Sequence, residues 1–234
     1  MNNVLIVGAG RGIGLQLLHH YSHVSTVWAT YRRTIPEMPA ERRFALDLGS
    51  ETEMACVVQG LEFRKVSFNK VIFAGAKTPP RDDSESAAEF QSGMSADLFE
   101  QYVRVNALGP LVFFERLYMA GLIEHPSTIV FLSSIAGSIE LRGQLPHNQR
   151  GGNLAYRISK SALNSGVRNV AYDLSKEGVT VVSLHPGWVR TRSGGPHADT
   201  DEVTAGAGIS SLIDSIGVAD SGKFLNVDGS VIPW

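Results

Sequence analysis

The feature that most constrains the fold is a glycine-rich turn close to the N-terminus. The segment Gly8-Ala9-Gly10-Arg11-Gly12-Ile13-Gly14 directly follows the apolar run Val4–Val7 and opens a helical pattern that continues to Ser22. A turn this tight needs positive φ angles and a backbone bare enough to approach a phosphate. The helix that follows offers free N–H groups and the positive end of its dipole to a pyrophosphate. The turn therefore predicts a dinucleotide-binding βαβ unit, with an ordinary strand–helix turn as the alternative.

Short apolar runs recur along the chain and alternate with helical patterns. Most are continuous runs of Val, Ile, Leu and Phe, which are typical of parallel strands buried on both faces. We predict strands at Val4–Val7, Thr26–Tyr31, Arg43–Leu46, Lys70–Ala74, Thr128–Leu132, Val179–Leu184 and Lys223–Val227. We predict helices at Ile13–Ser22, Glu51–Phe63, Ala96–Leu122, Ala155–Lys176 and Asp201–Ile216. This order predicts an α/β fold with right-handed crossovers on one doubly wound parallel sheet.

Length and composition narrow the class of protein. With 234 residues and no linker, repeat or charge block, residues 1–234 are predicted to form a single domain. The net charge of −2 gives no electrostatic footprint for nucleic acid or an anionic membrane. The single cysteine, Cys56, excludes an internal disulfide framework and a cysteine-rich zinc site. Cys56 falls in an apolar helical pattern and is expected to be buried.

No segment has the pattern of a signal peptide, a membrane span or a metal site. The apolar run Val4–Val7 is cut by Gly8, and no positive charge precedes it. The longest later apolar stretch, Ala107–Phe114, is far shorter than the ~20 residues of a membrane helix. His19 and His23 have the spacing of a metal pair, but no acid–histidine motif accompanies them. We therefore expect a cytoplasmic protein without a metal.

Three loop-like segments follow the ends of predicted strands. They are residues 77–95, 137–155 and 192–203, which are rich in Gly, Pro, Ser and Asn. In open parallel sheets, ligands bind beyond the carboxyl ends of the strands. We therefore expect these three loops to form the substrate pocket.

The end of the second predicted strand indicates which dinucleotide is bound. An NAD-specific site usually carries an acid here for the ribose hydroxyls. In this chain Tyr31 is followed by Arg32 and Arg33, and Arg11 in the glycine turn adds a third cation. Guanidinium groups match a 2′-phosphate in charge and geometry. We predict NADP(H) in preference to NAD(H), with two solvated loop arginines as the alternative.

Polar residues with the character of a proton-transfer site lie in the second half of the chain. Tyr156 and Lys160 are one helical turn apart, and an ammonium beside a phenol lowers the pKa of the tyrosine. Such a tyrosine can donate a proton to a carbonyl oxygen near neutral pH. Ser134 ends a predicted strand, and Asn106 invites a helix break or a buried water inside a long helical pattern. The alternatives are a surface pair, a serine cap and a satisfied core amide.

Taken together, these residues resemble the short-chain dehydrogenase/reductase family almost from end to end. The matching positions are Gly8–Gly14, Asp47-Leu48, Ala74-Gly75-Ala76, Asn106, Ser134, Tyr156-x-x-x-Lys160, Pro186-Gly187 with Thr191, and Asp228-Gly229. The segments 156–164, 184–191 and 227–234 resemble the branch that contains the C-factor signalling protein and the sniffer-type carbonyl reductases. The chain departs from the family at Val7, where threonine is common, and at Phe73, where asparagine is common.

The resemblance implies a Rossmann sheet with strand order 3-2-1-4-5-6-7 and a role for each matching residue. Tyr156 would donate the proton, Lys160 would bind the nicotinamide ribose and lower the pKa of Tyr156, and Ser134 would position the carbonyl. Asn106 would hold a water that links Lys160 to solvent. Besides Tyr156 and Lys160, the cofactor-binding positions would be Gly8, Gly10, Arg11, Gly12, Ile13, Gly14, Tyr31, Arg32, Arg33, Asp47, Leu48, Ala74, Gly75, Ala76, Pro186, Gly187, Val189 and Thr191.

The resemblance also implies an activity. The chain would be an NADPH-dependent oxidoreductase that transfers a hydride between the nicotinamide and a small carbonyl or alcohol substrate. The alternative is a C-factor-like signalling or nucleotide-sensing protein that keeps the fold with little turnover. In this family a long apolar helix, such as that at 96–122, often packs between subunits, so a homodimer or homotetramer is expected.

Overall fold

The computed structural model describes residues 2–79, 93, 95–144 and 153–234. In these residues the strands are β1 Asn3–Val7, β2 Thr26–Tyr31, β3 Arg43–Ala45, β4 Phe68–Phe73, β5 Ile123–Leu132, β6 Val179–His185 and β7 Phe224–Asn226. The helices are α1 Gly12–Ser22, α2 Glu51–Phe63, α3 Ala96–Val103, α4 Gly109–Met119, α5 Leu154–Asp173 and α6 Glu202–Ser215. A π-helical turn, Arg104–Leu108, joins α3 to α4, and a short 3₁₀ turn, Ile135–Gly137, follows β5.

All seven strands form one parallel sheet in the order β3-β2-β1-β4-β5-β6-β7. The α/β class and the strand order expected from the sequence are therefore confirmed. Successive side chains of β1 pack on opposite faces of the sheet. Leu5 and Val7 pack with α2, α4 and α5. Val4 and Ile6 pack with α1 and α6. Helices cover both faces, which explains why the strands are continuous apolar runs.

The long helix expected at 96–122 is interrupted. The π turn at Arg104–Leu108 breaks it at Asn106, and α4 ends at Met119. The break itself agrees with the helix break that Asn106 was expected to invite. The side chain of Asn106 is 1% exposed and is bound by groups outside the helix, so the turn is widened where this side chain is held.

The expectation that Cys56 is buried is wrong, because its thiol is exposed. The buried residues of α2 are Met54, Val57, Val58 and Leu61, which follow the spacing of a single helix face. Cys56 lies between two of these positions and therefore points away from the sheet. The apolar character of the segment could not by itself show which face of the helix is buried.

The amino-terminal edge of the sheet is held by one ionic cluster. The Tyr21 hydroxyl at the end of α1 donates to Asp214 Oδ1 at 2.9 Å, near the end of α6. The ammonium of Lys70 on β4 also contacts this carboxylate and lies 4.8 Å from the centroid of the Tyr21 ring. Burial and the neighbouring carboxylate both raise the pKa of Tyr21, so its hydroxyl stays protonated. The cluster ties α1 to α6 at the edge opposite the glycine turn.

Among the described residues, no helix is both long enough and apolar enough to cross a membrane. The same residues contain no group of three or more histidine, cysteine, aspartate or glutamate side chains placed to hold a metal ion.

Candidate active site

The glycine turn lies at the carboxyl edge of the sheet, against the end of β4. Gly8 has a φ of 96°, and its N–H donates to the carbonyl oxygen of Thr30 on β2 at 3.1 Å. A Cβ atom at Gly8 would lie 2.6 Å from the Cα of Gly75. Only glycine therefore allows the turn to approach the segment Ala74-Gly75-Ala76 this closely. Two of the cofactor-binding segments expected from the sequence meet here.

No side chain caps the start of α1 with a hydrogen bond. Arg11 precedes the helix without a side-chain capping hydrogen bond, and no acidic residue lies in the first turn. The first N–H groups of a helix have no acceptor within the helix, so those of Gly12, Ile13 and Gly14 face outward. A Cβ atom at Gly12 would lie 3.6 Å from the Thr191 side chain, which brings the loop after β6 to the same place. This arrangement fits an anionic group on the helix axis.

The three arginines of the predicted 2′-phosphate site are exposed, as such a site requires. Arg32 lies 3.9 Å from the carboxylate of Asp47, and the backbone N–H of Asp47 donates to Glu53 at 2.7 Å. A pocket opens beside them, lined by Arg32, Asp47, Glu53, Lys77, Gln101 and Val105. Among the described residues, no carboxylate lies within ion-pair distance of Arg11 or Arg33. Within the described residues, Arg11 and Arg33 thus have no carboxylate partner, and Arg32 is paired with Asp47.

The segment after β6 folds into a short, internally bonded loop. Gly187 has a φ of 79°, and Val189 is buried and pairs with Thr200. The Thr191 hydroxyl oxygen accepts hydrogen bonds from the N–H groups of Ser193 at 3.2 Å and Gly194 at 3.1 Å. The expected segment Pro186–Thr191 therefore borders the cleft as a rigid turn.

Two of the expected substrate loops are described only in part. Residues 80–92 and 94 of the loop 77–95, and residues 145–152 of the loop 137–155, lie outside the described residues. The loop 192–203 is described completely, and the hydroxyl of Ser193 is hydrogen-bonded to that of Thr78 at 2.8 Å. The loops after β4 and β6 therefore touch across the cleft.

Ser134 and Tyr156 meet where β5 ends and α5 begins. The Ser134 hydroxyl accepts a hydrogen bond from the N–H of Ala136 at 3.2 Å, which fixes it at the start of the 3₁₀ turn. The Tyr156 hydroxyl lies close enough to Ser134 for this side chain to lower the pKa of the tyrosine, as does the positive charge of Arg157. Burial is the larger influence, so the net pKa of Tyr156 is raised. A carbonyl oxygen placed between the two hydroxyls would meet two donors.

Lys160 lies one turn further along α5 and is 2% exposed. Its ammonium donates to the carbonyl oxygen of Leu132 at 2.8 Å and lies 6.0 Å from the centroid of the Tyr156 ring. Burial lowers the pKa of Lys160 to about 8. The expected lowering of the Tyr156 pKa by Lys160 is opposite to the net shift, to which burial contributes most. The ammonium bonds to the end of β5 and not to the phenol.

The side chain of Asn106 is held in the site by two hydrogen bonds to the backbone of Lys77. Its Oδ1 accepts from the Lys77 N–H at 2.7 Å, and its Nδ2 donates to the Lys77 carbonyl oxygen at 2.8 Å. Nδ2 also donates to the Ser159 hydroxyl at 3.0 Å, which in turn donates to the Tyr156 carbonyl oxygen at 2.7 Å. Both amide protons are thus engaged by protein, and a water could bind this side chain only through Oδ1.

Three residues that the sequence analysis did not single out support this arrangement. Ser159 links Asn106 to Tyr156, and Tyr102 packs edge-on against the Tyr156 ring with centroids 6.3 Å apart. The ammonium of Lys77 lies 5.3 Å from the centroid of the Tyr102 ring. Ser159 could have been found from the sequence, because it stands within the motif that joins Tyr156 to Lys160. Lys77 and Tyr102 belong to distant segments and carry no such signal.

A helix start without side-chain partners and a Ser–Tyr–Lys group therefore lie on the same edge of the sheet. A family model described as "Enoyl-(Acyl carrier protein) reductase", from the short-chain dehydrogenases, matches residues 13–228. The chain therefore belongs to the short-chain dehydrogenase/reductase family, as the sequence indicated.

Known proteins of similar sequence and structure agree with this assignment. The chain is 38% identical over 130 residues to the C-signal of Myxococcus xanthus, a match that covers 56% of this chain and 75% of that protein. The carbonyl reductase Sniffer of D. melanogaster superimposes with a TM-score of 0.82 at 25% identity over the full length of both chains. A short-chain dehydrogenase/reductase from Burkholderia multivorans with bound NADP gives a TM-score of 0.79 at 26% identity, covering 100% of this chain and 99% of that one.

Proposed function

We propose that this chain is an NADPH-dependent carbonyl reductase that acts on small aldehydes or ketones. The observation that carries the proposal is the pair of hydroxyls of Ser134 and Tyr156, which lie close together beside the buried Lys160. The names of two structural relatives, a carbonyl reductase and a protein with bound NADP, support the substrate class and the cofactor.

The residues of the cleft offer groups that match the parts of the cofactor. The N–H groups at the start of α1 would bind the pyrophosphate, and Gly8 lets the turn beside it pack closely against Gly75. Asp47 and Leu48 would lie along the adenine, and Ala74, Gly75 and Ala76 along its ribose. Arg11, Arg32 and Arg33 would take the 2′-phosphate. The segment Pro186–Thr191 would hold the nicotinamide amide.

The bound nicotinamide would supply a hydride to the carbonyl carbon. Ser134 would hold the carbonyl oxygen, and the Tyr156 hydroxyl would donate a proton to that oxygen as its negative charge develops. Lys160 would bind the nicotinamide ribose, and its charge would then stabilise the phenolate left on Tyr156. Asn106 would keep the backbone of Lys77 and the start of α5 in place, and the water proposed for it would bind Oδ1.

Cofactor preference can be tested by thermal stabilisation. A ligand at 100 times its Kd raises the unfolding free energy by about 2.7 kcal/mol, so equal concentrations of NADPH and NADH should give clearly different melting temperatures. Arg33→Asp should weaken NADPH binding, whereas Arg64→Ala, at the far end of α2, should leave it unchanged. Equal stabilisation by both nucleotides, together with unchanged NADPH affinity in Arg33→Asp, would refute the preference.

Turnover can be tested by NADPH oxidation with a panel of aldehydes and ketones. Tyr156→Phe should lower kcat by roughly 10²–10⁴-fold, because general-acid catalysis is lost while the cofactor site is kept. NADPH should therefore still stabilise this variant against heat. A Tyr156→Phe variant with full activity would contradict the proposed role of Tyr156.

A second candidate is suggested by the similarity to the C-signal. In that case the chain would bind the nucleotide and act in signalling with little turnover. Tight NADPH binding without oxidation by any carbonyl in the panel would favour this candidate.

Three further expectations from the sequence remain proposals. Residues 1–234 would form a single domain, which one cooperative unfolding transition would support. The exposed Leu108 and Met119, at the two ends of α4, fit a homodimer or homotetramer, which light scattering would detect. A cytoplasmic location would be tested by cell fractionation.

A further inference from the structure

Helix α5 carries another buried polar side chain beyond the Tyr–Lys pair. Asn164 lies four residues after Lys160, on the same side of the helix, and is 2% exposed. Its Oδ1 accepts a hydrogen bond from the Ser133 hydroxyl at 2.6 Å. Both side chains are buried, so removing either one would leave the other with an unsatisfied polar atom. Such an atom lowers the stability of the folded protein.

Ser133 is the first residue after β5. Its backbone N–H donates to the carbonyl oxygen of Leu184 on β6 at 2.7 Å, which continues the sheet pairing past the end of the strand. Ser134 follows directly. The hydroxyl of Ser133 therefore fixes the strand end to α5 one residue before the chain turns and presents the Ser134 hydroxyl.

The other side of Ser134 is fixed to the same helix through Gly137. The Gly137 carbonyl oxygen accepts from Asn164 Nδ2 at 3.5 Å and from the Ser161 hydroxyl at 3.0 Å. A Cβ atom at Gly137 would lie 2.9 Å from the carbonyl carbon of Lys160 and 3.0 Å from Asn164 Nδ2. The 3₁₀ turn thus packs against the backbone of α5 without space for a side chain.

The Asn164 amide therefore contacts residues on both sides of Ser134, while it touches neither hydroxyl of the candidate active site. We propose that Asn164 is a positioning residue, which sets the distance between Ser134 and Tyr156 by tying the segment 133–137 to α5. The proposal rests on the proposed function, since it concerns the geometry of the same proton-transfer site.

The expected effect is on the chemical step and not on cofactor binding. A displacement of about 1 Å between reacting groups can lower a rate by about 10²-fold. Within the described residues, the hydrogen bonds of Asn164 go to Ser133 and Gly137 and not to the glycine turn or to Pro186–Thr191, so the KM for NADPH should stay constant. A larger separation between Ser134 and Tyr156 would also weaken the effect by which Ser134 lowers the Tyr156 pKa, so this pKa would rise. The basic limb of the pH profile for carbonyl reduction should then move to higher pH.

The test is Asn164→Leu, which keeps the side-chain size and removes both polar atoms. We expect kcat to fall 10- to 100-fold with an unchanged KM for NADPH and a basic limb at higher pH. Asn169→Leu is the matched control, because Asn169 is an exposed asparagine of the same helix whose side chain donates to the Ser165 carbonyl oxygen at 2.8 Å. It should retain the activity and pH profile of the unsubstituted protein.

Substitutions at Ser133 provide a second test if Asn164→Leu does not fold. Ser133→Ala removes the donor to Asn164 and should lower kcat and shift the pH profile in the same direction. Ser133→Thr keeps the hydroxyl and should restore kcat to within a few-fold. Equal activity of Ser133→Ala and Ser133→Thr, or a folded Asn164→Leu with normal kcat and pH profile, would overturn the proposal.

The outcome is separable from that of the proposed function. If the unsubstituted protein reduces no carbonyl, the proposed function fails and the readout becomes the ionisation of Tyr156. This is followed by tyrosinate absorbance, with Tyr156→Phe as the blank. An upward shift of the Tyr156 titration in Asn164→Leu would support the positioning role, and an unchanged titration would overturn it.

Discussion

Replacing Lys160 by methionine is expected to stabilise the ligand-free protein at pH 7, although it removes a residue that we place in the proton-transfer site. Lys160 is buried, and the one hydrogen bond of its ammonium to a described residue is to the Leu132 carbonyl oxygen at 2.8 Å. A buried charge with so little compensation is costly, and methionine fills a similar volume without that charge.

The expected gain in the free energy of unfolding follows from the pKa of Lys160, which burial lowers from 10.5 to about 8. Between these values the unfolded chain binds more protons than the folded one, so stability rises as the pH rises through this window. Below about pH 8, Lys160 is protonated in both the folded and the unfolded state. The buried charge then lowers the free energy of unfolding by its full amount, about 3 kcal/mol. Loss of the bond to Leu132 would offset about 1 kcal/mol of this. The net gain of about 2 kcal/mol corresponds to a rise of roughly 4–8 °C in Tm.

The assay is thermal unfolding of the ligand-free protein at pH 7 and pH 9. The advantage of Lys160→Met should shrink by roughly 1 kcal/mol at the higher pH, because the unsubstituted protein then releases the proton. Lys176→Met, at an exposed lysine, should follow the unsubstituted protein at both values. The reasoning is refuted if Lys160→Met is less stable at pH 7, or if its advantage is the same at both pH values.

Two further substitutions test the parts of the fold that hold the site. Asp214→Ala leaves the Tyr21 hydroxyl and the Lys70 ammonium without their shared carboxylate, and should lower the free energy of unfolding in urea by about 2 kcal/mol; an unchanged midpoint would show that the cluster contributes nothing. Gly14→Ala would place a Cβ atom 2.3 Å from the Gly8 carbonyl oxygen, so α1 must shift from the turn. It should cost about 1–3 kcal/mol and reduce stabilisation by NADPH, and a variant that binds NADPH normally would contradict the assigned packing.

Features encoded by neighbouring residues could be predicted from the sequence, and this explains why the strands and the glycine turn were accessible. The sheet order came from the family resemblance. A strand, a turn and a helix start in succession determine their own geometry at Gly8–Gly14. The spacing of Tyr156 and Lys160 likewise places them on one helix face. These inferences need only the periodicity of the backbone.

Partners that lie far apart in the chain could not be predicted in this way. Asn106 was recognised as a buried amide, but its partner is the backbone of Lys77, and backbone groups leave no mark in the residue pattern. Phe73 was noted as a departure from the family. It stacks on Phe131 with centroids 4.5 Å apart, so this position serves the core. The net pKa of Tyr156 depends on burial, which only the packed structure supplies.

The π turn at Arg104–Leu108 also limits how this chain can be recombined with its relatives. A helix advances by about 100° per residue, so an inserted or deleted residue before Gly109 would rotate the apolar face of α4 away from the sheet. Phe113, Phe114 and Leu117, which are buried in that face, would then point elsewhere. The length of the segment 96–119 is thus a property under constraint, separate from its residue types. Chimaeras should take their crossover points outside it.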